Sequence, residues 1–109
     1  MAEVLKVLGQ SNPAATTLTA LYTVPGATQA TVSTLCIANR TTSSVKVRVS
    51  VAIAGAGDSL EQYIYYDTLV AKNDSTFATL GITLAATDVV RVYTDTLGVS
   101  FNLFGVEVS

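Results

Sequence analysis

Three tyrosines fall within four positions of this chain, in the run Gln62-Tyr63-Ile64-Tyr65-Tyr66-Asp67. Tyrosine joins a large apolar ring to a wet hydroxyl, a combination suited to contact surfaces. In a regular strand Tyr63 and Tyr65 share one face, and Ile64 and Tyr66 share the other. Three roles fit such a cluster: packing with the hydroxyl at the rim, a protein–protein contact, or a stacking platform for a sugar ring. Lys46 and Arg48 lie on the polar phase of a valine-rich run, and Arg91 lies in DVVRVYT. They read as solvated side chains, as cross-strand partners of acids, or as rim contacts to a neighbouring subunit.

Bond-making chemistry has few tools here. The chain has no histidine, which removes the commonest general base and transition-metal ligand. Its one cysteine, Cys36, lies in the apolar run TLCIA and reads as a small core residue. The carboxylates stand singly: Asp58 and Glu61 flank one loop, while Asp67, Asp74, Asp88 and Asp95 fall at strand ends or turns. Aspartate favours turns because it bonds nearby backbone amides. No calcium-loop spacing and no glycine-rich phosphate loop is present. The expectation is a protein that is not an enzyme, with no catalytic residues, no cofactor and no metal site.

Composition narrows the partners. Charged residues make up 13% of the 109, hydrophobic ones 50%, and the net charge is −2. Without a basic stripe there is no electrostatic footprint for nucleic acid. Little charge leaves little to keep copies apart, so a homo-oligomer, dimer or trimer, is expected in preference to a monomer. No apolar run approaches the ~20 residues needed to span a bilayer, and MAEVLKVLGQ is no signal peptide. The reading is a chain made in a cytoplasm with no membrane partner. Asn39-Arg40-Thr41 and Asn73-Asp74-Ser75 match the glycosylation pattern, which without a secretion signal is read as chance.

The elements that must carry these residues announce themselves by a period of two. Val45, Val47, Val49, Val51 and Ile53 alternate with Lys46, Arg48 and Ser50. Only a pleated strand with one face in a core uses that pattern. Further strands are expected over residues 4–8, 18–24, 31–39, 60–69, 75–80, 88–94 and 99–108. Hairpins are expected between the 31–39 and 45–54 strands, and between the last two. In the last strand Val99, Phe101 and Leu103 take one phase and Phe104, Val106 and Val108 the other, beside Gly105. A bulge there would return both sets to the core. About eight short strands without helical periodicity make an all-β fold. The expectation is a single domain over 1–109, an antiparallel, jelly-roll-like β-sandwich. Residues 9–17 are expected as an extended arm or loop.

The opening LKVLGQSNPAATTLTALYTVPGATQATVSTLCIANRT and the close FATLGITLAATDVVRVYTDTLGVSFNLFGVEVS resemble small structural proteins of tailed bacteriophages. The likeness covers nearly the whole chain. Its elements are the Leu-Gly-Gln-Ser start, the Leu-Tyr-Thr-Val-Pro strand end, the Asn-Arg turn and the Leu-Ala-Ala-Thr-Asp-Val-Val-Arg-Val phrase. The resemblance implies a virion β-sandwich present in many copies, a capsid cement or decoration protein docked on the major capsid protein. A tail, neck or baseplate position is the near alternative. It implies no catalytic residue. From the residues themselves, the rival reading is a small carbohydrate-binding module using Tyr63, Tyr65 and Tyr66. For the virion reading, the candidate contact residues are Tyr63, Tyr65, Tyr66, Lys46 and Arg48.

Overall fold

Alternating apolar residues can leave water only by pairing strands and facing two sheets together. The computed structural model describes residues 2–109. Eight strands follow one another: β1 (Glu3–Ser11), β2 (Thr19–Thr23), β3 (Gln29–Asn39), β4 (Val45–Ala52), β5 (Tyr63–Val70), β6 (Ser75–Leu84), β7 (Val89–Thr94) and β8 (Val99–Val108). Two single 3-10 turns, Ile53–Gly55 and Leu60–Gln62, lie between β4 and β5. The sheets run β1-β8-β3-β6 and β2-β7-β4-β5, and every pairing is antiparallel. The pairing is nested: first strand with last, second with seventh, third with sixth, fourth with fifth. A long double ribbon rolled up in this way is a jelly roll, the architecture expected.

The two expected hairpins do not form. β3 and β4 belong to opposite sheets, and so do β7 and β8. Their connections arch across one end of the sandwich and bond to each other, Arg40 N–H donating to Gly98 O at 3.0 Å. The same polar residues that make a reverse turn also make such an arch. Residues 9–17 divide. Gly9, Gln10 and Ser11 complete β1, and the connection beyond is tied by Thr16 N–H to Thr94 O at 2.8 Å.

The core lies between the sheets. Val32, Leu35 and Ile37 of β3, Val45, Val47 and Val49 of β4, Val90 and Val92 of β7, and Val99, Phe101 and Leu103 of β8 are buried there. Each such side chain contributes about 1.5–3 kcal/mol by leaving water. The valine alternation fails past Val49. Val51 is only partly buried and Ile53 is 77% exposed. The strand stops at Ala52 because Ala54 and Gly55 take positive φ and turn the chain away. The β4–β5 loop folds back over the sheet, where Arg91 donates to the carbonyls of Ala56 at 2.8 Å and Gly55 at 3.1 Å. Ser50, on the polar phase and directly opposite Arg91, is buried beneath it.

The phase slip of β8 also resolves differently from expectation. β8 itself runs without an extra residue, and its neighbours carry the irregularities. Leu8 of β1 and Ser33 of β3 stand unmatched beside Phe104, and Leu80 and Gly81 of β6 continue the fault. Gly81 takes φ +61, the left-handed region that glycine enters freely. The fault therefore crosses the whole sheet. Beyond it Phe104, Val106 and Val108 stay on the outer face, half-buried, and are not returned to the core. Cys36 shares that outer face, opposite Asn102 and Phe77, and is not a core residue.

The inner phase of β8 ends on Glu107, which pins one sheet to the other. It accepts a hydrogen bond from the Tyr22 hydroxyl of β2 at 2.6 Å and pairs with Lys6 of β1 at 3.2 Å. Burial, then the Glu107 contact, pushes the Tyr22 hydroxyl well up. The Tyr22 hydrogen bond, and then Lys6, hold the Glu107 carboxyl below its ordinary 4.5 despite its partial burial. A lowered carboxyl pKa contributes stability that is fully present above the unfolded value. That contribution is lost as pH falls through the folded value. Tyr22→Phe is therefore expected to unfold more readily than wild type at pH 7, with the gap closing on acidification. Denaturant midpoints measured against pH check this, and a gap that persists in acid would contradict it.

Candidate functional site

The outer face of the β2-β7-β4-β5 sheet gathers Tyr63, Tyr66 and Tyr93 around Arg48. The path of β5 decides which of its tyrosines take part. Ser50 lies opposite Tyr63 and Val49 opposite Tyr65, so Ile64 is an extra residue. Val47 lies opposite Thr68, so Tyr66 and Asp67 together face the single residue Arg48. Asp67 takes φ +55 to make the second bulge. These two bulges overturn the expected sharing of faces. Tyr63 and Tyr65 part company: Tyr65 packs against the core, while Tyr63 and Tyr66 meet edge-to-face outside, centroids 5.0 Å apart.

Arg48 occupies the centre. Its guanidinium carbon lies 4.2 Å from the Tyr66 ring centroid and 4.6 Å from that of Tyr93. Asp67 grips it from the side, with Nε to Oδ1 at 2.7 Å and Nη2 to Oδ2 at 3.3 Å. A planar guanidinium suits both geometries, rings on its faces and a carboxylate on its edge. Arg48 holds the Asp67 carboxyl below the usual aspartate range, and Asp67 pushes the arginine further up. Tyr63 donates to Asp58 at 2.8 Å, and burial first, then Asp58, raises its hydroxyl. Both members of the Arg48–Asp67 pair are partly exposed, so such a pair contributes little to folding. Its effect is to fix the arrangement of the surface.

The structure thus brings Arg48, Tyr63 and Tyr66 together. It places Lys46 at the margin, paired with Leu69, and withdraws Tyr65. Sequence reasoning missed Tyr93, whose place opposite Arg48 depends on the non-local β4–β7 register. The Asp67 partnership was legible only as an acid in search of a cross-strand cation. Arg91 is a tether for the β4–β5 loop.

Three further aspartates serve the backbone. Asp88 accepts from the amides of Ala54 and Ala85, Asp95 from Lys46 and Asp74 from Ser75. Among the described residues no three histidine, cysteine, aspartate or glutamate side chains converge. What remains is an ordered aromatic–arginine surface of the kind that anchors protein interfaces. No protein-family profile matches the chain, and no curated protein matches it. Among the described residues no helix is long and apolar enough to cross a membrane.

Proposed function

We propose that this protein is a non-enzymatic structural component of a bacteriophage virion. In this reading it is a capsid cement or decoration protein, docking on the major capsid shell through the outer face of the β2-β7-β4-β5 sheet. The observation that carries the reading is Arg48 held between Tyr66 and Tyr93 on a charge-poor jelly roll. An arginine already ordered by two rings and a carboxylate loses little freedom when a partner covers it. The likeness of the chain to tailed-phage structural proteins supplies the setting. The carbohydrate-binding alternative needs open ring faces on Tyr63, Tyr65 and Tyr66, but Arg48 covers a face of Tyr66 and Tyr65 turns to the core.

Antibody against the purified chain is expected to decorate the heads of particles of the phage that encodes it. Label confined to tails would move the protein to the tail, neck or baseplate. Unlabelled particles would end the virion reading. Purified Tyr66→Ala is expected to bind heads depleted of the protein at least about tenfold more weakly than wild type. Unchanged binding would remove this face from the contact.

A further inference from the structure

We infer that the outer face of the β1-β8-β3-β6 sheet is a self-complementary interface for a second copy of this chain. This inference stands apart from the virion reading and concerns the opposite side of the sandwich. Leu5 of β1 pairs with Val106 of β8, and Val7 with Phe104. Phe77 of β6 pairs with Cys36 of β3 on the same face. Leu5 is 80% exposed and Phe77 71% exposed, beside half-buried Phe104 and Val106. Exposed apolar side chains gathered on one face and rimmed by polar ones mark contact surfaces.

Charge placement identifies the occupant. Between these residues the face carries threonines, Asn102 and Gln10, with no charge. Glu3 lies at one end of the β1–β8 ribbon, opposite Val108. Arg40 lies at the other end, its guanidinium donating to Ser100 at 2.9 Å and Asn12 at 2.6 Å. A two-fold axis across the strands near Val7 sets each Glu3 toward the other copy's Arg40 and Phe104 over Phe104, with Leu5 over Gln10. That is the residue-to-residue reciprocity an isologous contact requires. Four strands of about ten residues cover about 33 by 19 Å, about 600 Å² per copy. Two copies then bury about 1,200 Å², which reaches the lower bound for a specific interface. The dimer leaves both Arg48 faces pointing outward.

Light scattering on purified protein tests the arrangement. Wild type is expected at the mass of two chains. Leu5→Asp, which enters the interface twice, is expected to weaken association at least about a hundredfold. Glu3→Arg is expected to weaken it less, and Glu3→Arg with Arg40→Glu to restore it, because the swap preserves complementarity. The maleimide labelling rate of Cys36, the only cysteine, is expected to fall as wild-type concentration rises and to stay constant in Leu5→Asp. A mass of one chain up to about 1 mM would overturn the inference, and so would a mass of three chains. Dimers that survive Leu5→Asp with Cys36 still freely labelled would also overturn it.

Discussion

Gly105→Ala is expected to be the most damaging single methyl that can be added to this protein. A Cβ at position 105 would lie 2.1 Å from Thr31 O and 3.0 Å from Leu8 Cδ1. Thr31 belongs to β3 and Leu8 to β1, the two strands that flank β8. The central strand therefore cannot move from one obstacle without disturbing its pairing on the other side. Overpacking in a well-fitted interior costs about 1–3 kcal/mol. Contact with backbone oxygen puts this case at about 3 kcal/mol or more, a large part of the 5–15 kcal/mol typical of a domain. Denaturant unfolding measures it. Gly26→Ala is the control, since nothing lies within 4 Å of its added Cβ, and it is expected to change stability by less than about 0.5 kcal/mol. A Gly105→Ala protein as stable as wild type would mean that β8 does not run between β1 and β3 as described.

The same glycine shows what the sequence records and what it does not. Val45, Val47 and Val49 reveal their strand because each strand's own residues carry its phase, and a buried face demands it. The phase slip at Phe104 was equally visible. Its cause was not, because the extra residues sit on β1, β3 and β6, and bulges are set between strands. The arches after β3 and β7 were misread as hairpins for a related reason. Polar turn residues reverse a chain whether the next strand joins the same sheet or the opposite one. At the candidate site, Arg48 and Tyr66 were legible as types suited to contact, yet their neighbours were not. Tyr65 turns inward and Tyr66 outward because of two bulges in β5, and Tyr93 arrives through the non-local register that sets it opposite Arg48. Composition and alternation fix the sandwich, whereas the surface depends on irregularities in pairing.

Asn39→Ala is expected to cost about 3–4 kcal/mol, because one buried amide closes the arch end of the sandwich. Asn39 ends β3 with 2% exposure. Its Nδ2 donates to the carbonyls of Ser43 at 2.8 Å, Val70 at 3.1 Å and Ala71 at 3.1 Å. Its Oδ1 accepts from the Thr41 amide at 2.9 Å and the Thr41 hydroxyl at 2.7 Å. Three segments that never pair as strands at this point are thus joined: the end of β3, the 40–44 arch and the end of β5. Alanine removes all five contacts and leaves the carbonyl of buried Val70 without this donor, in a place where desolvation has already been incurred. Asn39→Asp separates hydrogen bonding from shape. Its carboxylate can still accept from Thr41 but sets negative oxygens against three carbonyls, so it is expected to be at least as destabilising at pH 7. Protonation restores one donor and removes the charge, so its deficit should shrink as pH falls, which the alanine variant's should not. Midpoints for the two variants across the acid range decide the matter. Parallel curves would mean that the amide donates nothing the arch needs, and the crossing between the sheets would then be held by the backbone contacts there, Arg40–Gly98, Asp95–Lys46 and Asn73–Thr41 among them.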